Sequence, residues 1–544
     1  MPHTTPGPGA RALALASAAT ATTLALTGCG LFPGSDEGDD PGAQESPPQE
    51  AAAGDPRAEP GETNFPYVRE GLIAHSEGEG TERRFAVTGL ERTDEYIVMY
   101  YERTYLNEVN VADSSLPPLL IDPVTGRTVY PFVDEDGIPY GSVGPRGDGL
   151  FPAMVGVINK QRVYFPRFDD EVSQVTLVGT GHGAMTGLPI VDVEEERPTP
   201  ENPNGADPNP DVEEGDTLEF EVRRPDNGVV EIAGGLESFV DAGDTSTTRD
   251  SDTETVALST DVMFEFDSAE LTAQAEEVVR QAAAALIRNI DPEKTEVSVV
   301  GHTDGQGADD YNQTLSEERA ESVRAVLEAE VGDGYTFSVE GRGASEPVAQ
   351  EGGADDEEAR ARNRRVEFSY SFDEAVDNRP PERDESLLPG SSRNVYPPAD
   401  FQEDPTAETV ATATDGDVRL DVHSLVRDGA YVVGTVSLTN IGERPVSPDL
   451  DGDVPGAPDN FTEGSLGGFQ LVEPDSDVAR YVSLIDLGEF EGEEMVGGFT
   501  EDIEQMHPGN AYQLIAVFPA PPVGTDQVTL RAGAFGDIPD VPIS

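Results

Sequence analysis

Between residues 261 and 372 the hydrophobic period switches from strand to helix and back again, and only layered folds satisfy such a pattern. Val262-Met-Phe-Glu-Phe266 reads as a strand. Ala275, Val278, Val279, Ala282, Leu286, Ile287 and Ile290 then fall on one face of a helix running from about 268 to 290, and Val297-Ser-Val-Val300 returns to strand. A second helix is expected from Thr314, where Thr314 and Glu317 have capping-box spacing, with Ala320, Val323, Val326, Leu327 and Ala329 on its apolar side. Strands are expected at 335–340 and 365–372. Two helices with one apolar stripe each must bury it against a sheet, so residues 255–372 predict an α+β domain with helices on a mixed β-sheet.

The flanks read differently. At 544 residues the chain exceeds what one hydrophobic core holds, and Pro/Gly/acid-rich stretches divide it. Residues 65–195 and 410–544 contain short β-rich runs such as Tyr96-Ile-Val-Met-Tyr-Tyr101 and Tyr431-Val-Val-Gly-Thr-Val-Ser437, separated by turn residues. Both are expected to be mainly-β, immunoglobulin-like sandwiches. Phe165-Pro166 is followed by Gln174-Val-Thr-Leu177, and Phe518-Pro519 is followed at the same spacing by Gln527-Val-Thr-Leu530, which points to an internal repeat. Residues 196–254 are expected to be a linker with short strands, and 373–409 a second linker.

The N-terminus reads as an address. Behind Arg11, residues 12–26 form an apolar stretch too short for a comfortable membrane span, so residues 1–28 are expected to be a secretory signal. Its end, Leu26-Thr27-Gly28-Cys29, resembles the bacterial lipobox, which implies lipid attachment at Cys29 and anchorage to a membrane. Cys29 is the sole cysteine, which excludes an internal disulfide or a cysteine-based zinc site. Residues 29–64 follow as an acidic Pro/Gly-rich tether. With 107 acidic residues against 34 basic ones the formal net charge is -73, which repels nucleic-acid phosphate, so nucleic acid is excluded as a partner. The localisation expected is the cell envelope, facing the wall.

Within the central stretch, Phe266-Asp-Ser-Ala-Glu-Leu271, Gly301-His-Thr-Asp304, Tyr311-Asn312, Leu315-Ser316, Arg319-Ala320 and Asn363-Arg-Arg-Val366 occur in the order found in OmpA-like domains. The resemblance covers the whole module and implies a domain that grips peptidoglycan without cutting it. By that resemblance Asp304 and Arg319 recognise the free end of meso-diaminopimelate in the stem peptide, while Thr303, Asn312, Asp267, Asn363 and Arg364 line or support the same pocket. The chemistry suits those residues: a zwitterionic amino-acid end needs an acceptor for its ammonium and a planar donor fork for its carboxylate. The same Asp304 and Arg319 side chains also suit a plain ion pair bracing a strand end against a helix, and Asn363 and Arg364 suit bracing of the sheet. The acidic run from Gln350 to Glu358 is expected to weaken capture of a carboxylate.

No nucleophile with its base, no paired catalytic acids and no metal cluster stand out, so a non-catalytic protein without metal or cofactor is expected. Asp449, Asp451 and Asp453 alternate like calcium ligands but lack the glycine and terminal glutamate of a helix-loop-helix site, and read as a solvated loop. A protein partner in the envelope, held by the β-sandwiches, is the alternative to a purely mechanical tether.

Overall fold

The computed structural model describes residues 64–544, less 74–80, 108–117, 146–150, 180–182, 208–209, 251–252, 266–267, 353–355, 373–393 and short pieces between 451 and 510. Cys29 and the tether lie outside the described residues, as do Asp451 and Asp453. The described chain is mostly β-sheet with few helices.

The first region comprises β1 (Tyr67–Ile73), β2 (Thr81–Arg92), β3 (Ile97–Tyr105), β4 (Leu119–Ile121), β5 (Thr128–Val129), β6 (Gly141–Val143), β7 (Ile158–Phe165), β8 (Gln174–Gly179) and β9 (Gly183–Pro189). Strands β1, β2, β3 and β7 lie side by side, and β5, β4, β8 and β9 form a second sheet. Apolar residues of the two sheets, among them Val87, Met99 and Phe165 from one and Leu120, Leu177 and Leu188 from the other, share one buried core. The turn between β2 and β3 is set locally, because the Thr93 hydroxyl accepts the amides of Glu95 and Tyr96 at 3.3 and 3.2 Å. Next comes β10 (Val191–Asp192), paired with β2. The stretch expected as a linker supplies β11 (Thr217–Glu219), β12 (Glu221–Arg223) and β13 (Ala233–Gly234), which pair with β7, β6 and β5. Up to Gly234 its backbone is thus hydrogen-bonded into the first region, and from Leu236 onward it enters the sheet of the central and last regions.

The central region opens with an antiparallel meander, β14 (Leu236–Asp241), β15 (Thr245–Arg249) and β16 (Thr253–Ser259). Then follow α1 (Thr260–Met263), α2 (Ala273–Asn289), β17 (Glu296–His302), α3 (Asp309–Val331), β18 (Thr336–Gly343), α4 (Asp356–Asn363) and β19 (Arg365–Ser371). In the order β18-β17-β19-β16, β17 and β18 are parallel and the other neighbours antiparallel, so the sheet is mixed. Ala275, Val279, Ala282 and Leu286 of α2 and Ala320, Val323 and Leu327 of α3 bury against Val256, Leu258, Val297, Val299, Val366 and Phe368 of the sheet.

Four local expectations differ from what forms. Of residues 262–266, expected as a strand, those described, 262–265, instead follow the sheet as the end of the turn α1 and an isolated bridge from Phe264 to Leu271. Helix α3 begins at Asp309, where Asp309 and Asp310 complement the positive end of its dipole, and the Thr314 hydroxyl donates to Asp310 O at 3.0 Å inside the helix instead of capping it. Ile287 is 49% exposed, and Ala283 and Ala285 take the buried positions. Helix α2 starts at Ala273, later than the expected 268, where the Thr272 side chain caps it by accepting the Ala275 amide at 3.0 Å.

The last region consists of β20 (Ala411–Asp415), β21 (Val418–Asp428), β22 (Tyr431–Asn440), α5 (Asp459–Thr462), β23 (Phe469–Val472), β24 (Ala479–Tyr481), β25 (Leu484–Phe490), β26 (Glu493–Gly497), β27 (Ala511–Pro519), β28 (Gln527–Ala532) and β29 (Asp537–Pro542). Its order β20-β21-β22-β27 repeats β1-β2-β3-β7, and β24-β23-β28-β29 repeats β5-β4-β8-β9. The register slips in both leading hairpins, between Val87 and Gly89 and between Val422 and Ser424. In both copies the strand ending in Phe-Pro leaves one sheet, and the Gln-Val-Thr-Leu strand enters the other. Strands β13 and β14, which flank Gly235, add to β5 and β24, the equivalent strands of the two copies.

The pairing of β14 with β24 makes the central sheet continuous with a sheet of the last region, in the order β18-β17-β19-β16-β15-β14-β24-β23-β28-β29. The two copies also stack directly. Leu119, Ile121 and Val178 of the first pack against Tyr431, Val433, Ile515 and Val517 of the last. At this seam Ala430 N donates to Pro123 O at 2.8 Å. Gly429 adopts a φ of 63°, and a methyl group there would stand 2.0 Å from the same oxygen, so only glycine fits.

Candidate functional site

Strand β17 delivers the turn carrying Asp304 to the N-terminal end of α3. The strand and helix approach closely because Gly301 has no side chain: a Cβ there would lie 2.0 Å from Ser316 O. The turn is tied from two sides. Thr303 N donates to Gly343 O at 2.9 Å, and the Asn312 side-chain amide donates to Gln306 O at 3.0 Å and Asp304 O at 3.4 Å. Thr303 and Asn312 are buried, so their polar groups serve the turn's own backbone, with the Thr303 hydroxyl on Asp304 O at 3.0 Å. This leaves the Asp304 carboxylate, whose side chain is 15% exposed, as the group the turn presents.

Asp304 Oδ1 accepts the Gln306 amide at 3.0 Å and Oδ2 accepts Arg364 Nη1 at 2.7 Å. Arg364 also grips both oxygens of Asp261 at 2.7 and 2.6 Å and reaches Glu357 Oε1 at 3.1 Å. These bonds, Asp261's first, raise the Arg364 pKa above its ordinary value. The partner of Asp304 is therefore Arg364, and the acidic run flagged in the sequence touches the site through Glu357.

Arg319 is only 7% exposed. Its Nε donates to Ser268 O at 3.1 Å, its Nη1 makes a long contact of 3.4 Å to the Thr260 hydroxyl, and the guanidinium lies 5.2 Å from the centroid of the Phe264 ring. Burial lowers its pKa from the usual arginine value, opposed by the charges of Asp261, Tyr311 and Asp304. Among the described residues Nη2 has no hydrogen-bond acceptor, so a buried cation keeps donor capacity beside a carboxylate. Such a pair of opposite charges, each incompletely satisfied, matches a zwitterion.

Asp304, Arg319, Arg364, Thr303 and Asn312 thus come together. Asn363 sits behind them, fully buried, with its side chain bonded to Val348 N, Ala349 N and Ala349 O at 2.9, 3.0 and 2.9 Å; it braces the loop before α4. Its amide also donates to Glu351 Oε1 at 2.9 Å, and the same oxygen accepts Gly305 N at 2.9 Å, so that brace reaches the Asp304 turn. Asp267 lies outside the described residues. Sequence reasoning missed Asp261, Thr260 and Ser268. His302 is buried 3.6 Å from Glu367, whose pKa stays near 2 because His302 and Arg365 outweigh the opposing effect of burial. No group of three metal-binding side chains occurs among the described residues, and no described helix is long and apolar enough to cross a membrane.

Residues 263–364 match the OmpA family. A segment is 41% identical over 120 residues to outer membrane porin F of Pseudomonas aeruginosa, covering 21% of this chain and 31% of the porin. Another alignment is 39% identical over 113 residues to outer membrane protein A of Bordetella avium, covering 21% and 55%. Among solved structures, the peptidoglycan-associated lipoprotein from Burkholderia pseudomallei is 30% identical, with 21% of this chain and 88% of that one covered and a TM-score of 0.17. The chain spans about half or less of the two outer membrane proteins. It carries an OmpA-family domain at 263–364, and the two β-regions lie outside that match.

Proposed function

We propose that the protein is a non-catalytic envelope lipoprotein that binds diaminopimelate-type peptidoglycan through its OmpA-family domain and ties a membrane to the cell wall. The observation that carries this reading is the buried Arg319 guanidinium with spare donor capacity next to the presented Asp304 carboxylate. In this reading the ligand's carboxylate takes the free donors of Arg319, and its ammonium binds Asp304 alongside Arg364. Each charge-assisted bond supplies about 1.5–3 kcal/mol, and repeated sites along the polymer add avidity. Lipid on Cys29 is the membrane end, and the two flanking regions, read as immunoglobulin-like sandwiches, are spacers.

The test is co-sedimentation of the full chain with insoluble diaminopimelate-type peptidoglycan. The full chain is used because excising the central region would strip β24 from β14. Wild type is expected to pellet, while Asp304→Ala and Arg319→Ala stay in the supernatant with unchanged circular dichroism; equal pelleting of all three sinks the proposed site. For the anchor, Cys29→Ser is expected to move the protein from the membrane fraction to the soluble one, and retention in the membrane would rule out lipid at that residue.

A further inference from the structure

The face of the central sheet opposite α2 and α3 is not flat. A cleft of roughly 300 Å³ lies there, floored by β15, β16 and β19, roofed by α4, and closed on one side by Pro458 of the last region. Its size is at the lower end of the range of about 300–1,000 Å³ that small-molecule sites span. Its floor is set by register: Thr248 pairs with Thr255 and Ser246 with Ala257, so their side chains emerge on one face. Strand β14, outside the family match, supplies Phe239, and its Asp241 clasps Arg362 of α4 at 2.7 Å. Asp261 lines the cleft as well as holding Arg364, so the cleft and the Asp304 site share a wall.

The lining selects among ligand classes. Its charges are already matched: Asp261 with Arg364, Arg362 with Asp241, and Glu367 with Arg365 at 2.5 Å. Exposed Asp244 adds only negative charge, so an anionic ligand is disfavoured. A purely apolar ligand is disfavoured too, because the Ser246, Thr248 and Ser259 hydroxyls make no hydrogen bond among the described residues and would lose water without replacement. Val262 and Pro458 add apolar surface beside those hydroxyls, with buried Phe239 behind them. Arg362 uses one nitrogen on Asp241, leaving donors for a neutral oxygen.

A neutral ligand with hydroxyls on its rim and carbon–hydrogen faces between them is a sugar. We infer that this cleft binds saccharide, an uncharged N-acetylated sugar segment of the polymer whose peptide end Asp304 and Arg319 take; the link to that polymer rests on the function proposed above.

The two readings separate in one titration series on the full chain, using the β-1,4-linked disaccharide of N-acetylglucosamine and, independently, free meso-diaminopimelate. Thr248→Tyr fills the cleft from a strand position that favours aromatics, and Ala361→Leu narrows it from the helix above. Wild type and Arg319→Ala are expected to bind the disaccharide alike, and both cleft variants to weaken it by at least about tenfold, the scale of one overpacked contact. Diaminopimelate binding should be untouched by either cleft variant. No disaccharide binding, or binding indifferent to both cleft variants, overturns the inference. Disaccharide binding that responds to the cleft variants in a chain that ignores diaminopimelate upholds the cleft and rejects the peptide site.

Discussion

Arg364 serves three carboxylates at once, and that sharing tunes the site. Asp261 holds it bidentately, Asp304 takes one nitrogen, and Glu357 adds a contact at 3.1 Å from a side chain that is 74% exposed. An exposed pair of this kind contributes little to stability, because water and salt screen it and a flexible side chain must be held still. Its negative charge nevertheless sits on the same Arg364 that holds Asp304, and so opposes a carboxylate entering the site. Glu357→Gln is therefore expected to leave the fold intact and to tighten diaminopimelate binding by about two- to fivefold at low salt, with the gain shrinking as ionic strength rises. Titration calorimetry at two salt concentrations checks it. Weaker binding in the variant would mean that Glu357 orients Arg364 more than it repels the ligand.

At the scale of elements, what could be read locally was what has a local cause. Helix α2 was visible because Ala275, Val279, Ala282 and Leu286 recur at helical spacing against one sheet. Residues 262–266 misled because a short apolar run looks the same whether it is strand or turn. Phe264 is buried not as a strand residue but as the ring beneath Arg319. The start of α3 was missed by more than a turn, since a hydroxyl satisfied inside a helix and one that caps it leave the same sequence trace. Motif order pointed to Asp304 and Arg319, and the fold sets these two charges within reach of each other. Motif order did not point to Asp261 and Glu357, because they meet Arg364 from positions 103 and 7 residues away that no short pattern marks. Nor does any pattern state that β14 pairs with β24, which joins Val240 to Arg480 and fuses two regions into one sheet.

For the whole molecule, the stacking of the two β-copies places an acid where no water reaches it. Asp428, 2% exposed, sits at the seam with one oxygen accepting the Thr176 hydroxyl from the other copy and the second accepting Ala399 N at 2.9 Å. Burial raises its pKa to about 6, with nearby Asp122 adding to the rise and the two hydrogen bonds opposing it. Because the folded pKa lies above the unfolded one, the folded state binds this proton more tightly. The stability it contributes is full below the ordinary carboxylate range near 4 and is lost as pH rises through about 6. The difference of about two pKa units is on the order of 3 kcal/mol. Glu367 works in the opposite sense, but its contribution is present above its ordinary pKa of 4.5 and lost only toward pH 2, so it is silent between pH 5 and 8. Asparagine at 428 keeps one acceptor for Ala399 N and offers an amide to the Thr176 hydroxyl, while removing the charge. Thermal melts from pH 4 to 8 are thus expected to show wild type losing stability as pH rises and Asp428→Asn losing less, the two closest at pH 4, already apart by about half the full difference at pH 5, and the variant several degrees higher at pH 8. Parallel curves across that range would mean that the carboxylate titrates as it does in water and that the seam opens enough to hydrate it.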